Sequence, residues 1–109
     1  MRVGVIVFLA AAFAALAPAG AEDLQTYQIA IKDHQFNPAE LHVPAGKPFV
    51  LDVANQDAQA DEFEMSKPPL EKVIKPGASG RVRVRPLAKG RFIFFDDFHP
   101  DTKGAIVAE

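Results

Sequence analysis

The fold is decided near the end of the chain, which reads Gly90-Arg91-Phe92-Ile93-Phe94-Phe95-Asp96-Asp97-Phe98-His99-Pro100 and then Gly104-Ala105-Ile106-Val107. Phe92 and Phe94 alternate with their neighbours, which is the pattern of a strand with one buried face. The second segment is a short apolar strand. Two strands are therefore predicted, joined by a loop that carries two carboxylates and an imidazole.

The same alternation recurs upstream of this stretch. Apolar residues lie two apart at Tyr27-Ile29-Ile31, Leu41-Val43, Phe49-Leu51-Val53 and Val82-Val84. Turn signals separate these segments, at Asn37-Pro38, Pro44-Ala45-Gly46, Pro68-Pro69, Pro76-Gly77 and Lys89-Gly90. No helical period of useful length appears after residue 21. Short strands at this spacing predict an all-β sandwich of seven to eight strands.

The first 21 residues have the features of a signal peptide. Arg2 precedes an apolar run from Val3 to Leu16, and Ala19-Gly20-Ala21 supplies the small residues of a cleavage site. A retained membrane anchor is the alternative, but the run is shorter than the roughly 20 residues that a spanning helix needs. We expect a signal peptide at 1–21, a single domain at 22–109, a periplasmic location and no membrane insertion after cleavage.

Composition narrows the classes of function. Without Arg2 the chain has 11 Lys and Arg side chains against 14 Asp and Glu, so nucleic-acid binding is not expected. There is no cysteine, hence no disulfide and no thiol nucleophile. Ser66 and Ser79 lie outside any nucleophile-elbow pattern. The protein is therefore not expected to be an enzyme.

Two acidic segments are candidates for metal chemistry. In Asp61-Glu62-Phe63-Glu64-Met65, strand alternation places Phe63 and Met65 toward the core and pairs Glu62 with Glu64 on the other face. A bound cation would relieve the repulsion between these two carboxylates. The alternative is a pair of glutamates on a solvated face.

The loop after Phe95 is the second candidate. Asp96 and His99 are three residues apart, and Asp97 and His99 are two apart, so a loop can turn them toward one point. An imidazole with one or two carboxylates suits Cu(II), Zn(II) or Fe(II). An exposed histidine hydrogen-bonded to an aspartate is the alternative. His34 and His42 flank the first turn, as loop and strand residues that could form a second, weaker surface site.

The chain resembles the cupredoxins, in which a Gly-x-Tyr/Phe-x-Tyr/Phe-x-Cys-x-x-His segment precedes a glycine and a last strand. By this resemblance His99 takes the place of a ligand histidine, Asp96 that of the copper-binding cysteine and Ala105 that of the axial methionine. The segments Lys32 to Gly46, Val53 to Asp57 and Val73 to Gly77 also resemble the family's strands and corners. The resemblance implies a Greek-key sandwich.

A blue-copper site needs a Cys thiolate and two histidines, and an acid replaces the first histidine near Glu62. Glu62-Phe63-Glu64 and Asp97-Phe98-His99-Pro100 resemble segments of the cysteine-free periplasmic cupredoxins of bacterial ferrous-iron uptake systems. The resemblance implies a copper or iron ion held by His99, Glu62, Glu64, Asp97 and Asp96. It also implies an iron permease and a second periplasmic metal-binding protein as partners. A metal-free interaction module that docks a partner and an atypical electron carrier are the rival interpretations.

Overall fold

A computed structural model describes Gly4 and residues 24–109. The predicted signal peptide lies almost wholly outside these residues. Nine strands form the described part of the chain, which contains no helix: β1 Gln25–Lys32, β2 Gln35–Asn37, β3 Glu40–Val43, β4 Phe49–Asn55, β5 Asp61–Met65, β6 Leu70–Ile74, β7 Ser79–Val84, β8 Gly90–Asp96 and β9 His99–Ala108. Within this part of the chain, nothing helical is long and apolar enough to cross a membrane.

The strands form two facing sheets. One has the order β2-β1-β4-β7 and the other the order β3-β9-β8-β5-β6. β1 pairs with β4 in parallel, as β3 does with β9, and the other pairs are antiparallel. The predicted all-β sandwich is confirmed. The count of nine exceeds the predicted seven to eight, and it includes the short strands β2 and β3.

Phenylalanines fill the core between the sheets at the end where β5 begins. Phe36, Phe63 and Phe94 are at most 5% exposed, and their ring centroids lie 4.8 to 6.3 Å apart. Gly104 on β9 leaves room for this packing, because a Cβ there would collide with the ring of Phe94 and lie 2.8 Å from the carbonyl oxygen of Ala39.

The strand β5 carries acidic residues on both of its faces. Phe63 and Met65 are buried in the core, as the alternation predicts. Asp61 shares their side of the strand by the same alternation, at the end of the core. Glu62 and Glu64 lie on the other face, yet Glu62 is only 1% exposed. One strand thus presents one carboxylate to the end of the core and two to the outer face of the sheet.

Candidate metal centre

A tight turn between β1 and β2 positions His34. Lys32 pairs with Gln35, so Asp33 and His34 form a two-residue hairpin loop, with φ of 52° and 56°. Asp57 holds this loop, because its carboxylate accepts the backbone N–H groups of Asp33 at 2.7 Å and of His34 at 3.3 Å. The turn therefore places the imidazole of His34 over the end of the sandwich.

Asp96 positions the histidine of the other loop. Its Oδ1 accepts the backbone N–H of Glu62 at 3.1 Å and that of Phe98 at 3.0 Å, which ties the β8–β9 turn to the start of β5. Its Oδ2 lies 3.2 Å from His99 Nδ1. The position that a cysteine holds in the cupredoxin pattern is thus occupied by a buried carboxylate that organises the loop.

Asp61 lies beside both histidines. Its Oδ1 is 3.4 Å from His99 Nδ1 and 3.8 Å from His34 Nδ1, and its side chain is fully buried. The two imidazole rings stack, with centroids 3.8 Å apart and planes 28° apart. Neither carboxylate oxygen of Asp61 has a hydrogen-bond partner. We call His34, Asp61 and His99 the histidine group.

The buried carboxyl of Asp61 holds its proton unusually tightly. Burial, followed by the neighbouring carboxyls of Asp96 and Asp57, raises its pKa from 3.8 to about 8. Burial disfavours the charged form, and nearby like charges do the same. A cation at this point would reverse both effects, because it would compensate the charge of the ionised carboxylate.

The histidine group has the donor set of a transition-metal site. One ligand atom from each residue lies within 4.8 Å of the others. Two imidazoles and one carboxylate suit Fe(II), and imidazole also suits Cu(II) and Zn(II). His34 and His99 line a surface cavity of about 550 Å³, through which an ion could enter. A blue-copper centre does not fit, since there is no cysteine.

A second group of carboxylates lies on the outer face of the same strand. One oxygen each from Glu62, Glu64 and Asp97 lie within 4.8 Å of one another. Burial, followed by the carboxylates of Glu71 and Glu64, raises the pKa of Glu62 to about 7. We call Glu62, Glu64 and Asp97 the outer carboxylate group.

The structure places four of the five predicted metal ligands in these two groups, and the fifth, Asp96, lies beside the histidine group. His99 and Asp96 lie together at the end of the core. Glu62, Glu64 and Asp97 lie together on the outer face of β5. The sequence-based prediction joins all five in one site. In the structure Glu62 and Glu64 lie on the opposite face of β5 from Asp61, because side chains alternate along a strand. Their role as metal ligands stays a prediction.

Two residues of the histidine group were not among the predicted ligands. The sequence predicts that His34 lies in a turn, and no pattern in it links this residue to His99. The sequence does contain a signal for Asp61. This residue lies two and four positions before Phe63 and Met65, so strand alternation places a charged side chain on the core-facing side. His42, by contrast, is exposed on β3, between Glu40 at 3.0 Å and Glu109 at 2.7 Å.

A Greek-key sandwich with a histidine and carboxylate group at one end, beside the last hairpin, has the architecture of a cupredoxin. The cupredoxin-like domain model matches residues 5–108, and the chain belongs to this family. A relative, the uncharacterized protein RP394 of Rickettsia prowazekii (strain Madrid E), is 35% identical over 81 residues. That match covers 74% of this chain and 65% of the relative, so the chain spans less than two thirds of that protein.

Solved structures share the fold at low sequence identity. Reduced auracyanin of Roseiflexus castenholzii has a TM-score of 0.66 at 20% identity, covering 78% of this chain and 97% of its own. The metal-binding domain of the Cu(I)-exporting P-type ATPase CopA of Streptococcus pneumoniae D39, solved with Cu(I), has a TM-score of 0.69 at 18% identity, covering 81% and 89%.

Auracyanin A of Chloroflexus aurantiacus, a "blue" copper protein, has a TM-score of 0.67 at 16% identity, covering 77% of this chain and 98% of its own. These likenesses establish the fold.

Proposed function

We propose that this protein binds a copper or iron ion through His34, Asp61 and His99, and that it serves ferrous-iron uptake in the periplasm. The observation that carries the metal site is the carboxylate of Asp61. It is fully buried, neither of its oxygens has a hydrogen-bond partner, and two imidazole nitrogens face it at 3.4 and 3.8 Å. Burial keeps this carboxyl protonated, because its ionised form is costly to bury without a compensating charge, and a bound cation would supply that charge.

Asp96 and Asp57 support the group without being needed as ligands. Asp96 fixes the loop of His99, and Asp57 fixes the turn of His34. Carboxylates that orient imidazole ligands are a common feature of metal sites. Because imidazole and carboxylate must lose their protons to bind a metal, affinity is expected to fall as the pH is lowered.

The assignment to iron uptake rests on sequence resemblance and on the donor set. The segments at 62–64 and 97–100 resemble those of cysteine-free cupredoxins of ferrous-iron systems, and two histidines with one carboxylate is a donor set that suits Fe(II). In this proposal an iron permease and a second periplasmic metal-binding protein are the partners. Two of the structurally similar proteins, the CopA domain and auracyanin A, hold copper, which an imidazole-containing site also accepts.

Calorimetric titration of the metal-stripped protein with Cu(II), and anaerobically with Fe(II), tests the metal site. We expect one ion per chain, with affinity reduced at least tenfold in Asp61→Asn, His34→Ala and His99→Ala. His42→Ala is the matched control, because this histidine is exposed and outside the group. Equal affinities for wild type and His99→Ala would exclude the site.

The role in iron uptake needs a separate test in cells. A strain that lacks the gene is expected to grow poorly when ferrous iron is limiting. The wild-type gene and the His42→Ala variant should restore growth, whereas His34→Ala and His99→Ala should not. Normal growth of the deletion strain would argue against iron uptake and would leave the metal site itself unaffected.

An interaction module is the second candidate, favoured by the exposure of Phe98. This side chain is 50% exposed and lines the cavity beside His99. Aromatic side chains in such positions often contact a partner. No metal binding tighter than about 0.1 mM, roughly −5.5 kcal/mol, would favour this candidate over the first.

A further inference from the structure

The outer carboxylate group does not contribute to the histidine group and has features of its own. Glu62 and Glu64 project from one face of β5, and Asp97 reaches them from the β8–β9 turn. Glu64 lies directly across from Glu71 of β6 in the strand pairing, so a fourth carboxylate borders the group. Glu64 and Glu71 also line a surface cavity of about 220 Å³.

Burial without a partner distinguishes this group from an ordinary acidic surface. Glu62 is 1% exposed, and its Oε1 has no hydrogen-bond partner. Glu64 Oε2 is also buried and unpartnered. Within residues 24–109, no lysine or arginine forms an ion pair with Glu62, Glu64 or Asp97. Three carboxylates therefore meet with no described cation to compensate them.

The spacing of the oxygens fits a hard cation. Ca²⁺ binds oxygen at about 2.3–2.6 Å, so two of its ligands lie at most about 5 Å apart. The three oxygens here lie within 4.8 Å of one another. A donor set made only of carboxylates favours Mg²⁺, Ca²⁺ or Mn²⁺ over metals that seek nitrogen. Mg²⁺ requires shorter distances and a stricter octahedral arrangement.

We propose that Glu62, Glu64 and Asp97 form a second cation site on the outer face of β5, which binds one hard divalent ion of the size of Ca²⁺ or Mn²⁺. The two sites use opposite faces of one strand and different donor chemistry. The outer site takes oxygen ligands only, whereas the histidine group supplies two nitrogens. The outer site does not depend on the proposed role in iron uptake.

Electron paramagnetic resonance of free Mn²⁺ during titration with the full, metal-stripped protein tests this proposal. We expect one Mn²⁺ per chain with a Kd below about 1 mM, and competition by Ca²⁺. Asp97→Asn and Glu64→Gln should each raise the Kd at least tenfold. Asp97 is exposed in a turn, so its variant should keep the fold, which circular dichroism and thermal melting would verify. Glu40→Gln, at an exposed acid on β3, is the matched control.

The His99→Ala variant separates the two sites. Its affinity for Mn²⁺ should lie within twofold of wild type, while its affinity for Cu(II) falls. The proposal is overturned if wild type binds no Mn²⁺ at 1 mM, if Asp97→Asn binds as tightly as wild type, or if His99→Ala loses Mn²⁺ as the outer-group variants do. In the last case the ion would occupy the histidine group.

Discussion

Replacing Asp61 by asparagine should stabilise the metal-free protein, and the gain should grow with pH. The pKa of Asp61 is about 8 in the folded protein against an ordinary value of 3.8. Between these values the folded state holds a proton that the unfolded chain releases. The contribution of Asp61 to stability is therefore greatest below about pH 4 and is lost as the pH rises toward about 8. Asparagine is neutral at every pH in this window.

The magnitude follows from proton linkage. A difference of one proton between the two states changes the free energy of unfolding by about 1.4 kcal/mol per pH unit. From pH 5 to pH 7 the advantage of Asp61→Asn over wild type should therefore grow by about 3 kcal/mol. For a domain of this size that corresponds to roughly 10–20 °C in Tm.

Urea unfolding of wild type and Asp61→Asn at pH 5 and pH 7, in the presence of a chelator, measures this change. Glu62, with a pKa of about 7, adds its own pH dependence to both proteins, and the comparison of the two removes it. Excess Cu(II) should make wild type more stable than Asp61→Asn, because only wild type retains the carboxylate ligand. A stability difference that is the same at both pH values would refute the argument that burial keeps Asp61 protonated.

Three further outcomes follow from the structure. Gly104→Ala should cost about 3 kcal/mol or more in urea unfolding, because the new methyl group would collide with Phe94; a loss below 1 kcal/mol would contradict the packing. Glu109→Gln should lower the pKa of His42, because the hydrogen bond to Glu109 raises it. Proton NMR titration measures this pKa, and an unchanged value would contradict the prediction. Asp57→Ala should cost about 1–3 kcal/mol, since two backbone N–H groups lose their acceptor; unchanged urea stability would contradict this.

The sandwich was predictable because its strands are local patterns. Val82 and Val84 alternate with arginines, and both valines are buried on β7 as expected. Phe94 is buried on β8 by the same rule, and its neighbour Phe92 is half-buried. These patterns depend on a period of two along the chain, so one sequence is sufficient to find them. The signal peptide and the periplasmic location stay predictions.

The candidate site was harder to predict because it joins distant parts of the chain. Asp96 and His99 were found together, since one loop carries both. His34 is 65 positions from His99 and meets it only because the hairpin β1–β2 packs beside the start of β9, a contact that no local pattern records. The sequence places Asp61 on the same side of the strand as Phe63. It does not show that the strand begins at the end of the core where the two histidines meet.

The turn that carries His34 has a consequence for how the protein can evolve. Two adjacent residues there have positive φ, a conformation that glycine adopts without strain and that His and Asp tolerate less well. Asn-Gly is the sequence that such a hairpin prefers, and Gly at position 34 should favour folding by about 1 kcal/mol. The same change would delete an imidazole from the candidate metal centre. Position 34 therefore sets stability against the proposed function, because glycine would favour folding whereas histidine supplies the imidazole.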